Sequence, residues 1–152
     1  MGLLTPLAIK IGSYPRMSEY LPTIVKADDL IQKVSGGSRC LLQIAGLPSV
    51  TMTVVGRKSG QPRTTTLLAV PDGDDWLITG SYFGGPKAPA WVFNVRAAGT
   101  VTIRGIEFSA VELSGDARAS AWETLRAVWP NFDLYEQRTE RVIPVFRLSP
   151  RP

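Results

Sequence analysis

Hydrophobic positions along this chain recur in two rhythms, one helical and one strand-like. Leu21, Ile24, Val25, Ile31 and Val34 fall at helical spacing, with Pro22 near the start and Gly36-Gly37 as a stop, and predict a helix over 21–35. A shorter apolar helix is read over 3–14. Val- and Thr-rich runs follow, as in Ser49-Val50-Thr51-Met52-Thr53-Val54-Val55, a composition that favours a pleated, half-buried surface. Strands are predicted near 41–45, 50–56, 64–70 and 76–80. Residues 88–98 suit a short helix ended by Gly99, and 100–104 with 106–113 form a hairpin turned by Arg104-Gly105. A helix over 116–128 is expected to start at Asp116 as N-cap and to bury Ala121, Trp122, Leu125 and Val128. A short helix near 131–138 and a strand over Val142–Leu148 complete the pattern. About six antiparallel strands with helices at the edges give an α+β, mainly antiparallel fold, a small closed or split β-barrel.

At 152 residues the chain reads as one domain, with 1–37 a helical N-terminal segment and 38–152 the barrel. No repeat, low-complexity tract or linker interrupts it. No apolar run is long enough to span a membrane, and Pro6 and Lys10 break any signal-peptide core. Pro6 also stands where an N-myristoylation signal wants Ser or Thr. One cysteine, Cys40, excludes an internal disulfide and reads as a small buried hydrophobe. The expectation is a cytoplasmic protein, with the N-terminal helix available for peripheral membrane contact.

The distribution of charge says more than the net value of +4. Between Asp29 and Glu107 the only acids are Asp72, Asp74 and Asp75, all in one turn. The same stretch holds Lys33, Arg39, Arg57, Lys58, Arg63, Lys87, Arg96 and Arg104. Three of these cations crowd Gly56-Arg57-Lys58-Ser59-Gly60-Gln61-Pro62-Arg63-Thr64-Thr65-Thr66, a hairpin turn rich in glycine and hydroxyls. Free backbone N–H groups, glycines and Lys/Arg heads are the parts of an anion cradle; a merely solvated turn is the alternative. In an up-and-down meander this turn would share one end of the sheet with the loop Ser81-Tyr82-Phe83-Gly84-Gly85-Pro86-Lys87, and the acidic turn at 71–75 would occupy the other. Two cationic, Gly-containing loops converging at one end describe a site for an elongated anion.

The chain has no histidine, which removes Ser-His-Asp and Cys-His catalysis and imidazole metal ligation. Its acids show no ligand-like spacing, so no metal site is expected. No Gly-x-Gly-x-x-Gly follows a strand, and the 56–63 turn lacks the Gly-Lys-Ser/Thr of a P-loop. If the protein is an enzyme, its difficult chemistry belongs to an organic cofactor.

The run Gly56–Arg63, followed by Leu67, Gly73, Ser81, Gly84, Pro89-x-Trp91 and Asn94, resembles the signature of the actinobacterial deazaflavin-dependent nitroreductases and quinone reductases. These are coenzyme F420-dependent reductases with an FMN-binding split-barrel-like fold. The resemblance implies hydride transfer from reduced F420 to quinones, unsaturated lactones or enones, or nitroaromatics. It implies that Arg57, Lys58, Ser59 and Arg63, with Thr64, Thr65 and Thr66, hold the phosphate and acidic tail. Thr79, Gly80, Ser81 and Tyr82 would run along the deazaflavin ring and present backbone groups, and Ala90, Trp91 and Asn94 would cover another part of the cofactor. Ser81 and Tyr135 are the implied catalytic residues, Ser81 orienting the ring and Tyr135 or solvent supplying a proton.

The substrate side departs from the nitroimidazole-activating relatives. Where those carry tyrosines, this chain reads Leu68, Trp129 and Phe132, with Tyr135 retained. Leu, Trp and Phe cannot donate a proton at oxygen. The four residues imply an apolar pocket for flat acceptors; equally, Trp129, Phe132 and Tyr135 read as the core face of a helix. Two alternatives stay beside this reading: an FMN-dependent oxidoreductase on a related barrel, and a nucleic-acid-binding barrel. Scarce strand aromatics argue against nucleic acid as a partner.

Overall fold

The computed structural model describes residues 2–34 and 40–152. Strand β1 (Ser49–Val55) pairs with β2 (Pro62–Leu68) in a hairpin running from Ser49 opposite Leu68 to Val55 opposite Pro62. Val50, Met52 and Val54 of β1 are buried, so alternate residues face the core. On the other face, threonine hydroxyls pair across the hairpin, Thr51 with Thr66 at 2.8 Å and Thr53 with Thr64 at 2.9 Å. Five further strands complete the sheet: β3 (Val70–Asp72), β4 (Asp75–Thr79), β5 (Thr100–Ile103), β6 (Ile106–Glu112) and β7 (Val145–Pro150). The order is β2-β1-β5-β6-β7-β4-β3, antiparallel throughout.

That order closes the fold. β2 and β3 are the two edges of the sheet, yet only Ala69 separates them along the chain. The sheet must therefore roll until its edges meet. Ala69 sits at the seam, fully buried, its N–H donating to the Pro48 carbonyl at 3.2 Å. Away from the seam no ladder joins β2 to β4 among the described residues, and the barrel is split there.

The interior is filled by Val50, Met52, Val54, Ile78, Phe108 and Phe146, with Val92 and Val95 of helix α4 (Ala90–Ala98) inserted among them. A second cluster covers the outer face. There α5 (Gly115–Val128) and α6 (Asn131–Arg138) bring Trp122, Leu125 and Phe132 against Leu77 and Val145. Neighbouring residues of β4 thus serve different cores, Leu77 one and Ile78 the other.

At the N-terminus, α1 (Thr5–Gly12) leads through a 3₁₀ turn (Met17–Tyr20) into α2 (Leu21–Val34). The carbonyls at the end of a helix are under-satisfied, and α6 supplies further donors at the end of α1. Asn131 Nδ2 donates to the Ile9 carbonyl at 2.6 Å, the Tyr135 hydroxyl to that of Gly12 at 3.1 Å, and the Arg138 guanidinium to that of Ser13. The Gly36-Gly37 stop predicted for α2 lies outside the described residues, as do the side chains of Leu21 and Val25. Ile24 and Ile31 are half-buried, whereas Val34 is exposed.

Several expectations are corrected. Residues 41–45 do not form a strand: Leu41–Ile44 is a one-turn helix, α3, in which the Gln43 side chain accepts from the Cys40 N–H at 3.1 Å. That one-sided cap, with the Ile44 N–H donating to the Cys40 carbonyl at 3.0 Å, favours a helical turn over so short a strand. The meander is also absent, because β1 takes β5 as its second neighbour and β4 takes β7. The predicted 64–70 strand is two strands broken at the Ala69 seam. α5 starts one residue early, placing Asp116 in its first turn and Ser114, without a side-chain cap bond, at the N-cap. β7 begins at Val145 because the preceding carbonyls are engaged elsewhere, Ile143 by Arg118 at 2.8 Å and Pro144 by the Gly80 N–H at 3.0 Å.

Candidate active site

Strand pairing places the two cationic loops together. From β1 to β4 the sheet passes through β5, β6 and β7, four antiparallel steps, so β1 and β4 point the same way. The turn after β1 and the loop after β4 therefore share one end of the barrel, as a meander would also have required. The acidic turn lies at the opposite end, where Arg147 bonds Asp72 at 2.9 Å and Asp75 at 3.1 Å and its own pKa is raised by those bonds. The cationic turn has no such counterpart. Among the described residues no carboxylate lies within ion-pair distance of Arg57, Lys58 or Arg63.

The turn is shaped by its own backbone. The Gly56 N–H donates to the Gln61 carbonyl and the Gly60 N–H to the Gly56 carbonyl, both at 2.8 Å. The Ser59 hydroxyl accepts from the Gln61 N–H at 3.2 Å and from Arg63 Nη2 at 3.3 Å. The Arg57 N–H donates to Asn94 Oδ1 at 3.1 Å, tying the turn to α4, and its guanidinium lies 5.2 Å from the Phe93 ring centre. Asn94 thus holds the turn itself.

Beside the turn a cleft of about 690 Å³ opens where the barrel is split. Thr64, Thr65, Thr66, Leu67 and Leu68 form one wall; Thr79, Ser81, Tyr82, Phe83, Pro89 and Trp91 form the other; Trp129, Phe132 and Tyr135 lie at the base. Ile24, Asp28 and Asp29 of α2 and Leu42 of α3 close the remaining side. The β2 wall is an unpaired edge. Gln61 and Ala69 bond to the β1 side, so by alternation the N–H and C=O groups of Thr64, Thr66 and Leu68 point off the free edge. Thr79 adds a polar atom of a rarer kind: its Oγ1 is buried and has no hydrogen-bond partner. A buried hydroxyl in that state is costly unless a ligand completes it.

The loop after β4 is held in an unusual shape. Tyr82 and Phe83 have φ of 47° and 53°, and Gly84 follows at 77°. A left-handed conformation costs a non-glycine residue about 1–3 kcal/mol, so the surroundings must enforce it. Arg141 does so: Nη2 donates to the carbonyls of Gly80 at 3.0 Å and Ser81 at 2.9 Å, and Nε to that of Gly85 at 3.0 Å. Gly84 packs so closely on α6 that a Cβ would stand 2.7 Å from the Tyr135 carbonyl. Phe83 meets the Tyr135 ring edge-on at 5.6 Å.

Eleven of the residues expected in the site do line this cleft: Thr64, Thr65, Thr66, Leu68, Thr79, Ser81, Tyr82, Trp91, Trp129, Phe132 and Tyr135. Arg57, Lys58, Ser59 and Arg63 sit on the adjoining turn, and Ala90 is exposed at the start of α4. Gly80 is a correction. Its N–H is spent on Pro144 and its carbonyl on Arg141, and its missing side chain makes room for Val92, whose Cγ2 would stand 2.5 Å from a Cβ there. Tyr135 is a second. Its hydroxyl is buried, donates to the Gly12 carbonyl and accepts from Trp129 Nε1 at 3.3 Å; burial pushes its pKa up to about 12. The side chain serves both core and cleft, but its proton is already committed.

Sequence reasoning missed Ile24, Asp28, Asp29 and Leu42, which reach the cleft only through tertiary packing, and it missed Arg141. The one signal for Arg141 was a cation directly before the apolar run Val142-Ile143-Pro144-Val145-Phe146.

A family model described as "F420H(2)-dependent quinone reductase" matches residues 25–150. An F420H(2)-dependent quinone reductase of Mycobacterium tuberculosis (strain ATCC 25618 / H37Rv) is 34% identical over 111 residues, covering 68% of this chain and 74% of the relative. A solved structure entitled "Structure of F420-H2 Dependent Reductase (FDR-A)" is 34% identical with a TM-score of 0.62, covering 67% of this chain and 94% of its own. Another, described as a domain-swapped dimer, is 29% identical with a TM-score of 0.64 and covers 84% of this chain and 99% of its own.

Proposed function

Because this chain belongs to the F420H(2)-dependent quinone reductase family, we propose that its cleft holds coenzyme F420 against a flat, apolar acceptor that is reduced there. The protein is an oxidoreductase whose cofactor is F420, and FMN recedes to an alternative. One observation carries the reading. A cleft of about 690 Å³ begins at Thr64, next to the cationic turn, and leads past an unpaired strand edge and an unpartnered Thr79 hydroxyl to an apolar base, with Asp28 and Asp29 on its remaining side. That sequence of surfaces suits an elongated anion with a flat aromatic head.

When bound and reduced, F420 supplies a hydride. Arg57, Lys58 and Arg63, with Ser59, hold the phosphate and acidic tail; each charge-assisted bond contributes about 1.5–3 kcal/mol. The free edge at Thr64 and Thr66 lines the cofactor, and Thr65 turns its side chain toward the barrel. The Thr79 hydroxyl completes its hydrogen bond on the ring, Ser81 and Tyr82 set the ring's orientation, and Ala90 and Trp91 cover it while Asn94 secures the turn. Leu68, Trp129 and Phe132 receive the acceptor through apolar contact and exclude water. The Tyr135 hydroxyl keeps its proton on the Gly12 carbonyl, so the proton that completes reduction comes from solvent.

This pocket favours menadione-like quinones and coumarin-type unsaturated lactones over bicyclic nitroimidazoles, which gain few donors from it. Titration with reduced F420, FMN and NADPH, followed by a kinetic panel, tests both levels. The expected result is tight F420 binding with turnover of quinones or lactones. FMN binding in place of F420, or strong nitroimidazole turnover with none on quinones and lactones, overturns the proposal.

The same reading gives the N-terminus a role. Leu3, Leu7, Ile11 and Tyr14 are exposed along α1 and its flanks, beside Lys10, and a basic, apolar face of this kind rests on an anionic lipid surface. Among the described residues no helix is long and apolar enough to cross a membrane. The protein should co-sediment with phosphatidylglycerol vesicles, and Leu7→Glu should release it; equal retention of the variant refutes the contact.

A further inference from the structure

We infer that Arg141 is a positioning residue, a clamp that holds the left-handed loop 80–85 as the ring-side wall of the cleft. The inference rests on the reading above for what the wall contacts, and on geometry alone for the clamp. One guanidinium reaches three carbonyls, those of Gly80 and Ser81 where the loop leaves β4 and that of Gly85 where it ends. It therefore fastens both ends of the segment that carries Tyr82 and Phe83, whose φ of 47° and 53° no local sequence preference maintains. Ser81, Tyr82 and Phe83 all line the cleft, so a change in loop shape is a change in the wall.

The choice of arginine has a geometric reason. Its planar fork donates in two fixed directions at once, which the single ammonium of lysine cannot reproduce. Arg141 is half-buried, and burial lowers its pKa. Its Nη1 is buried without a partner, so the side chain is held for the sake of the three bonds made by Nε and Nη2. Arg138, three residues earlier, adds a long contact of 3.5 Å to the Phe83 carbonyl and otherwise serves α1. The clamp is thus distinct from the anion cradle, which lies on the 56–63 turn.

The test separates clamp, wall and cofactor. In wild-type protein and in Arg141→Lys, hydrogen exchange is followed across residues 80–85 without cofactor, alongside Kd for oxidised F420 and kcat and KM for menadione at saturating reduced F420. Exchange in 80–85 should accelerate in the variant while β1 and β6 stay protected. kcat should fall by about tenfold or more while Kd for F420 moves by less than about threefold. In Arg141→Ala, added guanidinium ion should restore part of kcat. Unchanged exchange in the loop overturns the clamp. Accelerated exchange with unchanged kcat, where wild type turns over menadione, overturns its role in positioning. A wild-type protein that neither binds nor uses F420 defeats the proposed function, and the exchange experiment then still decides the clamp. Equal acceleration over the whole chain in Arg141→Lys, or a fall in kcat matched by an equal rise in Kd, marks a general structural role and refutes the inference.

Discussion

Single side chains here divide sharply between those the protein uses on itself and those it leaves for a partner. Arg147, Arg96 and Arg151 each meet a carboxylate, whereas among the described residues Arg57, Lys58 and Arg63 have none within ion-pair distance. Lys58→Glu and Arg63→Glu should therefore weaken F420 binding with folding intact by circular dichroism, each by about tenfold or more if one charge-assisted bond is lost. The loss should shrink as salt rises, since exposed charges are screened over about 10 Å at 0.1 M ionic strength. Wild-type affinity in both variants would remove the cradle from the site. Thr79 is the quieter case. Nothing in its sequence surroundings marks it as buried and unpartnered; that follows from where β4 ends, at the rim of the split barrel.

At the scale of elements, the loop following β4 carries the tension of the site. Its left-handed turn is enforced by Arg141 and by contact with α6, and Gly84 is the point of closest approach. Gly84 and Gly60 share positive φ, 77° and 69°, but a Cβ on Gly84 would meet the Tyr135 carbonyl at 2.7 Å while one on Gly60 would meet nothing within 4 Å. Gly60→Ala should cost only the backbone preference, about 1–2 kcal/mol. Gly84→Ala should cost clearly more and loosen the wall, because backbone must move. Urea denaturation of the two variants compares them directly, and equal losses would refute the packing account. The α1–α6 junction works differently: Asn131, Tyr135 and Arg138 cap the carbonyls of a helix more than a hundred residues away in sequence.

Over the whole molecule that junction couples stability to pH. Burial raises the Tyr135 pKa from 10.0 to about 12, so the folded state holds this proton more tightly than the unfolded chain. The contribution is complete below about pH 10 and is lost as pH rises toward 12. Thermal melts should show a decline in Tm over that window that is shallower in Tyr135→Phe, which should also lose about 1–2 kcal/mol at neutral pH with its bond to Gly12. An identical alkaline slope in both proteins would assign the decline to other groups. Turnover at saturating cofactor should survive Tyr135→Phe, because the hydroxyl faces α1.

Periodicity and turn chemistry, which act over a few residues, were enough to place β1, β4, α4, the β5–β6 hairpin and α6 near their observed bounds and to single out Gly56–Arg63 as a candidate anion cradle. The family resemblance, rather than periodicity, pointed to Thr64–Thr66, Ser81 and Trp91 as neighbours of that turn. Local rules failed where long-range partners decide. Leu41–Ile44 is a helix because Gln43 folds back on Cys40, and β1 pairs with β5 rather than continuing a meander. The Ala69 seam joins opposite edges of one sheet. Whether Trp129, Phe132 and Tyr135 were core or pocket had no answer along the chain, since a rolled sheet makes its base both. The commitment of the Tyr135 hydroxyl to Gly12, and of Arg141 to three carbonyls, likewise depends on contacts that only the closed fold creates. Sequence determined which residues could bind an anion and which could fill a core; the rolling of the sheet decided which of them meet, because burial and hydrogen-bond geometry belong to the assembled chain.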